Sequence, residues 1–160
     1  MMKPKNLTYM LSDIDHIVVK ELLPIVQGST ILLLYGQLGA GKTTLIKALT
    51  KQLGILDNVS SPTFSYVNVY KNIKTGLTIN HFDLYRLNCV DEFIDQGFDE
   101  WLTHKDTLTI IEWPAVIEPL LHNKSLQEAS IISLSLSHDF AQSEIRYLTI
   151  TSIQQTQKTK

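Results

Sequence analysis

The segment GQLGAGKT, Gly36 to Thr43, follows the apolar run TILLLY, Thr30 to Tyr35, without a gap and opens a stretch whose apolar residues recur at helical spacing. It fits G-x-x-x-x-G-K-[ST] at every fixed position. A short, wholly apolar run of this kind reads as a strand buried on both faces of an α/β sheet. Leu45, Ile46, Leu49 and Leu53 continue as an amphipathic helix, and Gly54 sits where a left-handed C-terminal cap would end it. Strand, glycine loop and helix are thus contiguous. The glycines let backbone N–H groups converge on oxyanions with no Cβ in the way, and the helix N-terminus adds unpaired donors and a partial positive charge. Gly36, Gln37, Leu38, Gly39, Ala40 and Gly41, with Lys42, Thr43 and Thr44, form the candidate nucleotide-binding segment. Lys42 is aimed at the β and γ phosphates of a nucleoside triphosphate and the Thr43 hydroxyl at Mg²⁺. Gly36, Gly39 and Gly41 do not fit G-x-G-x-x-G, which excludes a dinucleotide fingerprint.

The rest of the chain is consistent with a mixed sheet. Ile14, Ile17, Val18, Leu22 and Ile25 predict a helix from Ser12 that ends before Gly28. YVNVY and LTINHFDLY alternate and are joined by KNIKTG as a hairpin with Gly76 in its turn. DEFIDQGFDEWL reads as a helix broken at Gly97, LTIIEW as a second buried strand, and EPLLHN as a short helix. ASIISLSLS and EIRYLTITS close the sheet as a further hairpin. The expected organisation is one α/β domain over residues 1–153, of the three-layer P-loop NTPase type with a mixed parallel and antiparallel sheet. A polar tail at 154–160 has nothing to bury and is expected to fray.

A chain of 160 residues buries roughly 70% of its unfolded surface, enough for a core without staples. Its net charge of −2 offers no basic field for capturing nucleic acid unaided, so any RNA would be held by another protein. The single cysteine, Cys89, forbids an intramolecular disulfide and suits a reducing cytoplasm. MMKPKNLTYM lacks an apolar core after its lysines, and ILLL is too short to span a bilayer, so no membrane association is expected.

A magnesium-phosphate site needs carboxylates beyond the loop, from strand ends near it. Glu112 ends LTIIE, where an acid can hold the cation through water or polarise an attacking water; an ordinary strand-end acid would look the same. Asp83 lies in HFDLYRL, where two-residue alternation sets His81, Asp83 and Tyr85 on one face, with His81 and Tyr85 placed to orient Asp83. A solvent-facing edge strand is the plainer account of that polar face. Arg86 is out of phase with it and points to a partner or structural contact. SSPTF combines a φ-fixing Pro62 with hydroxyls at Ser60, Ser61 and Thr63, suiting a reconfigurable segment as well as a plain turn.

In this order and at these separations, GQLGAGKTT, SSPTFSYV, HFDLYRL and IIEWP resemble the bacterial TsaE (YjeE) family of tRNA threonylcarbamoyladenosine biosynthesis proteins, over Gly36 to Pro114. The resemblance implies a P-loop ATPase that works with a TsaB and TsaD pair on the adenosine beside the anticodon, and meets tRNA only through them. By motif, Lys42 and Thr43 belong to the nucleotide loop and Thr63 to a switch-like segment near the γ phosphate. Asp83 and Glu112 belong to the metal and hydrolysis site, so that Lys42, Thr63, Asp83 and Glu112 form the implied catalytic set and Thr43, Asp83 and Glu112 the implied Mg²⁺ ligands. Gln37 departs from the family, in which many members carry Asp.

Two rival readings make different demands. A small-molecule kinase stabilises transferred phosphate with several arginines, and Arg86 and Arg146 are the only arginines here. The same shortage predicts slow hydrolysis by the chain alone and acceleration by a partner. A guanine-nucleotide switch needs an Asn-Lys-x-Asp base pocket; the nearest candidate, HNKS, lacks the acid.

Overall fold

The computed structural model describes residues 3–26, 29–62, 65–126 and 128–153. Seven strands form one sheet in the order β1-β7-β6-β2-β5-β4-β3. The strands are β1 (Lys5–Met10), β2 (Thr30–Tyr35), β3 (Val67–Lys71), β4 (Thr78–Asp83), β5 (Thr107–Glu112), β6 (Ser130–His138) and β7 (Ile145–Ile153). β2 pairs parallel with β5 and β6, and β4 parallel with β5, whereas β1–β7, β6–β7 and β3–β4 are antiparallel. The sheet is mixed, as the sequence predicts, with its parallel strands in the centre.

Alternation divides the core between the two faces. Leu32, Leu34, Leu108 and Ile110 pack on one side with Val18, Leu22, Leu45, Ile46 and Leu49 from the first two helices. Ile31, Leu33, Phe82 and Ile111 pack on the other with Phe93, Phe98, Leu102 and Ile117. The apolar runs of β2 and β5 are continuous because each strand is covered on both faces. Phe82 anchors the second layer, its ring 5.8 Å from Phe93, 5.3 Å from Phe98 and 5.9 Å from Trp101.

The helix predicted from Ser12 is three contiguous pieces: a 3₁₀ turn Leu11–Asp13, α1 (Ile14–Ile17) and a π turn Val18–Leu22. Its proposed end at Gly28 lies outside the described residues. α2 (Lys42–Gln52) ends as expected, with Gly54 at φ +76° and its N–H bonded to the Lys51 carbonyl. The β3–β4 turn has Gly76 at φ +77°, and Asn72 ties it to the end of α2 through a 2.9 Å bond to the Leu53 carbonyl. α3 (Val90–Asp95) stops just before Gly97, at φ +72°, and a 3₁₀ turn Glu100–Thr103 follows. Only Glu118–Leu120 of EPLLHN is helical, as the end of a 3₁₀ segment Pro114–Leu120 that starts earlier because Pro114 is pre-organised for a first turn.

β1 is the element sequence reading missed. In KNLTYM only Tyr9 is buried and Leu7 half-buried, a pattern too sparse to distinguish from a polar leader. As an edge strand it completes the sheet against β7. The tail at 154–160 lies outside the described residues.

Candidate phosphate and metal site

The loop between β2 and α2 has the backbone its glycines permit. Gly36, Gly39 and Gly41 have φ of +143°, +81° and +101°, and Gly41 is the N-terminal cap of α2. A Cβ at Gly36 would stand 2.4 Å from the Leu136 carbonyl oxygen of β6, so glycine there is a close-approach requirement as well as a conformational one. We expect Gly36→Ala to destabilise the protein by ~1–3 kcal/mol, which lowers the melting temperature by several degrees in a domain of this size. An unchanged thermal melt would show that β6 yields freely at this contact.

Lys42 is buried, donating from Nζ to the carbonyls of Gly36 (2.7 Å) and Gln37 (3.1 Å). Its ammonium also sits 3.9 Å from the centroid of the Trp113 ring, a cation–π contact. Desolvation pulls its pKa below the ordinary lysine value, while the charges of Glu112 and Asp83 oppose that shift. Gln37 and Thr44 are exposed, as is Leu38, whereas Ala40 is buried.

Thr43 Oγ1 donates to Glu112, 3.1 Å from Oε1 and 3.2 Å from Oε2. Glu112 is buried at the end of β5, and the parallel register places Asp83 of β4 directly beside it. Asp83 is half-buried; Oδ2 accepts a hydrogen bond from Ser61 Oγ, and Oδ1 accepts the Tyr85 N–H at 3.1 Å. Three of the four proposed catalytic residues therefore converge: Lys42, Asp83 and Glu112. Thr63 lies outside the described residues; Ser61, two positions earlier, reaches Asp83.

The sequence assigned His81 to orient Asp83; the structure gives it a different neighbour. His81 is fully buried, and Nε2 lies 2.9 Å from Glu112 Oε1. The contact runs diagonally across the parallel pair β4–β5: His81 stands opposite Ile110, and the longer Glu112 side chain, two residues on, reaches back to the ring. Tyr85 bonds Asp83 by its backbone only, and its exposed ring packs 5.0 Å from that of Trp113.

Two residues join the site that the sequence did not assign to it. Trp113 adopts the left-handed conformation (φ +59°), rare for a bulky side chain, and this turns its ring towards Lys42. Its position straight after Glu112 was the available signal. Arg146, remote from the loop in sequence, comes beside it: a Cβ at Gly41 would lie 3.5 Å from Arg146 Nε. Nε is buried with no hydrogen-bond partner, while Nη1 donates to the carbonyls of Ser143 and Ile145. Arg86, in contrast, is exposed and has no carboxylate within ion-pair distance among the described residues.

The donors suit a hard cation that keeps much of its water. Among the described residues no three His, Cys, Asp or Glu side chains cluster as a metal cage. Two carboxylates and a hydroxyl beside an anion-binding loop match the sparse oxygen set with which Mg²⁺ is held on a nucleotide. No helix of the described residues is long and apolar enough to cross a membrane.

Comparison with known proteins places this geometry in a family. The sequence model described as "Threonylcarbamoyl adenosine biosynthesis protein TsaE" matches residues 12–144. The TsaE proteins of Rickettsia felis and Bacillus subtilis are 42% identical over 92 residues and 40% identical over 97 residues, covering 57% and 61% of this chain. Those matches span 52% and 58% of the two relatives, a little over half their length. The crystal structure of Bacillus subtilis YdiB superposes with a TM-score of 0.63 at 26% identity, covering 96% of this chain and 89% of that one, and supports a P-loop NTPase-type fold. The chain belongs to the TsaE family of threonylcarbamoyl adenosine biosynthesis proteins.

Proposed function

We propose that this chain is a magnesium-dependent ATPase of the cytoplasm that supports a TsaB–TsaD pair in threonylcarbamoyladenosine modification of tRNA, and touches tRNA only through those partners. The observation that carries the reading is the contact of Thr43 Oγ1, on the first turn of α2, with the carboxylate of Glu112 at the end of β5. It joins the phosphate loop to the acid beside it, and Asp83 stands next in register.

The chain's own groups divide the work. Backbone N–H groups of Gly39 to Thr43 and the Lys42 ammonium bind the β and γ phosphates, the ammonium exchanging the Gly36 and Gln37 carbonyls for phosphate oxygens. Thr43, Asp83 and Glu112 would hold Mg²⁺, which when bound would neutralise charge developing on the phosphates. The Glu112 carboxylate would also polarise the attacking water. Arg146, with an unpartnered Nε beside Gly41, adds a fixed positive charge on the far side of the loop from Asp83 and Glu112.

One arginine at the loop, already tied to two carbonyls, leaves transition-state charge incompletely met, so hydrolysis by the chain alone is slow. Arg86 is exposed and directly follows Tyr85, which lines an apolar cleft with Tyr35, Leu38, Trp113 and Pro114. We expect added TsaB and TsaD to raise ATP turnover at least fivefold, and Arg86→Ala to weaken that stimulation more than basal turnover. The assay is steady-state ATP hydrolysis with and without the pair. Fast basal turnover that partners leave unchanged would overturn the reading; phosphorylation of a metabolite by the isolated protein would revive the kinase.

A further inference from the structure

We infer that His81 is a positioning residue for Glu112: it fixes the carboxylate so that the Thr43 hydroxyl and the acid meet Mg²⁺ in one arrangement. The inference rests on the proposed function and goes beyond it, because it assigns a role to a side chain that touches neither phosphate nor cation.

The imidazole is 0% exposed and the Glu112 side chain 3% exposed, so the pair is shielded from water. Nε2 of His81 lies 2.9 Å from Oε1, and towards a carboxylate that only accepts hydrogen bonds it is Nε2 that donates. Nδ1 of the same ring is buried without a hydrogen-bond partner. The ring is therefore committed to one contact, and that contact is Glu112. The Tyr70 ring stands 6.4 Å from the imidazole, and the Tyr70 hydroxyl bonds both the N–H and the carbonyl of Ser60. Tyr70 thus links the surroundings of His81 to the segment that carries Ser61 to Asp83.

This arrangement answers a problem the site sets for itself. A glutamate has three side-chain torsions, and Thr43 donates almost equally to both carboxylate oxygens, 3.1 and 3.2 Å, so it cannot choose between their orientations. His81 touches one oxygen only and breaks that symmetry. Groups that hold a metal ligand in this way typically change metal affinity by about 10- to 100-fold when removed.

The test compares His81→Gln, whose amide nitrogen can reach the place of Nε2, with His81→Phe, which keeps a ring and removes the donor. Binding of a non-hydrolysable ATP analogue is titrated with Mg²⁺, and ATP turnover and thermal melting are measured on the same proteins, with Glu112→Gln and the double variant alongside. His81→Phe should raise the Mg²⁺ concentration for half-maximal response about tenfold and lower kcat with less than threefold change in KM. Analogue binding without Mg²⁺ should stay the same. His81→Gln should recover most of the Mg²⁺ response, and in the Glu112→Gln background His81→Phe should have little further effect. Should His81→Phe fail to fold, His81→Leu, which also lacks the donor, is read in its place: a folded His81→Leu with wild-type Mg²⁺ response would overturn the inference. Equal Mg²⁺ response in wild type and His81→Phe, or full additivity with Glu112→Gln, would also overturn it. A wild-type protein that binds analogue with Mg²⁺ but does not hydrolyse ATP sinks the proposed ATPase and leaves the His81 result readable.

Discussion

Glu112→Gln is expected to lower ATP turnover by about 10²- to 10⁴-fold, the range over which a positioned general base contributes, while nucleotide affinity stays within threefold. The swap preserves shape and deletes the charge. Two donors face the native carboxylate, His81 Nε2 and Thr43 Oγ1. In the variant the amide oxygen can take the His81 bond and the amide NH₂ can donate to the Thr43 hydroxyl, which rotates to accept it. The fold therefore keeps its hydrogen bonds, and the loss falls on chemistry. Asp83→Asn should fall in the same direction by less, since Asp83 is half-buried and already shares its oxygens with Ser61 and the Tyr85 N–H. Single-turnover hydrolysis with saturating Mg²⁺, read beside equilibrium nucleotide binding, separates the two effects. Turnover equal to wild type in either variant would reduce that residue to a structural acid.

What the sequence made legible follows from which forces act locally. The phosphate loop could be read because strand, glycines and helix are contiguous, and each glycine the pattern requires has positive φ in the structure. Glu112 could be found because a buried strand announces its own end. The partner of His81 could not. Alternation along β4 placed His81 and Asp83 on one face correctly, but a strand's own pattern does not say which strand lies beside it or in what register. That information resides in the order β2-β5-β4, a product of the whole packed sheet. Arg146 was hidden for the same reason: only the return of β7 along β6, beside β2, carries it to Gly41. β1 was missed because an edge strand with one covered face and two inward residues has almost no hydrophobic signature. Local chemistry thus specified the loop, while the residues that complete it depend on long-range pairing.

Lys42→Ala is expected to weaken ATP binding by about 10²-fold or more with little change in the melting temperature of the free protein. A hydrogen bond to a charged group contributes ~1.5–3 kcal/mol, and an ammonium bridging two phosphates makes at least two charge-assisted contacts, so a loss near ~3 kcal/mol is the modest end of expectation. In the free protein the ledger is different. The ammonium has the Gly36 and Gln37 carbonyls and the Trp113 face, which favour it, but it is buried, and desolvation lowers its pKa. Removing it sacrifices those contacts and the attraction of Glu112 and Asp83, yet also removes a charge that is costly to keep from water. The opposing effects should leave stability within a few degrees of wild type. Binding and stability are then measured in one experiment, thermal melting with and without ATP and Mg²⁺. Wild type at a ligand concentration 100 times its Kd gains about 2.7 kcal/mol, and the variant at the same concentration should gain less than about 0.5 kcal/mol. A variant that melts as wild type does and is stabilised equally by ATP would remove Lys42, and with it the phosphate loop, from the proposed site.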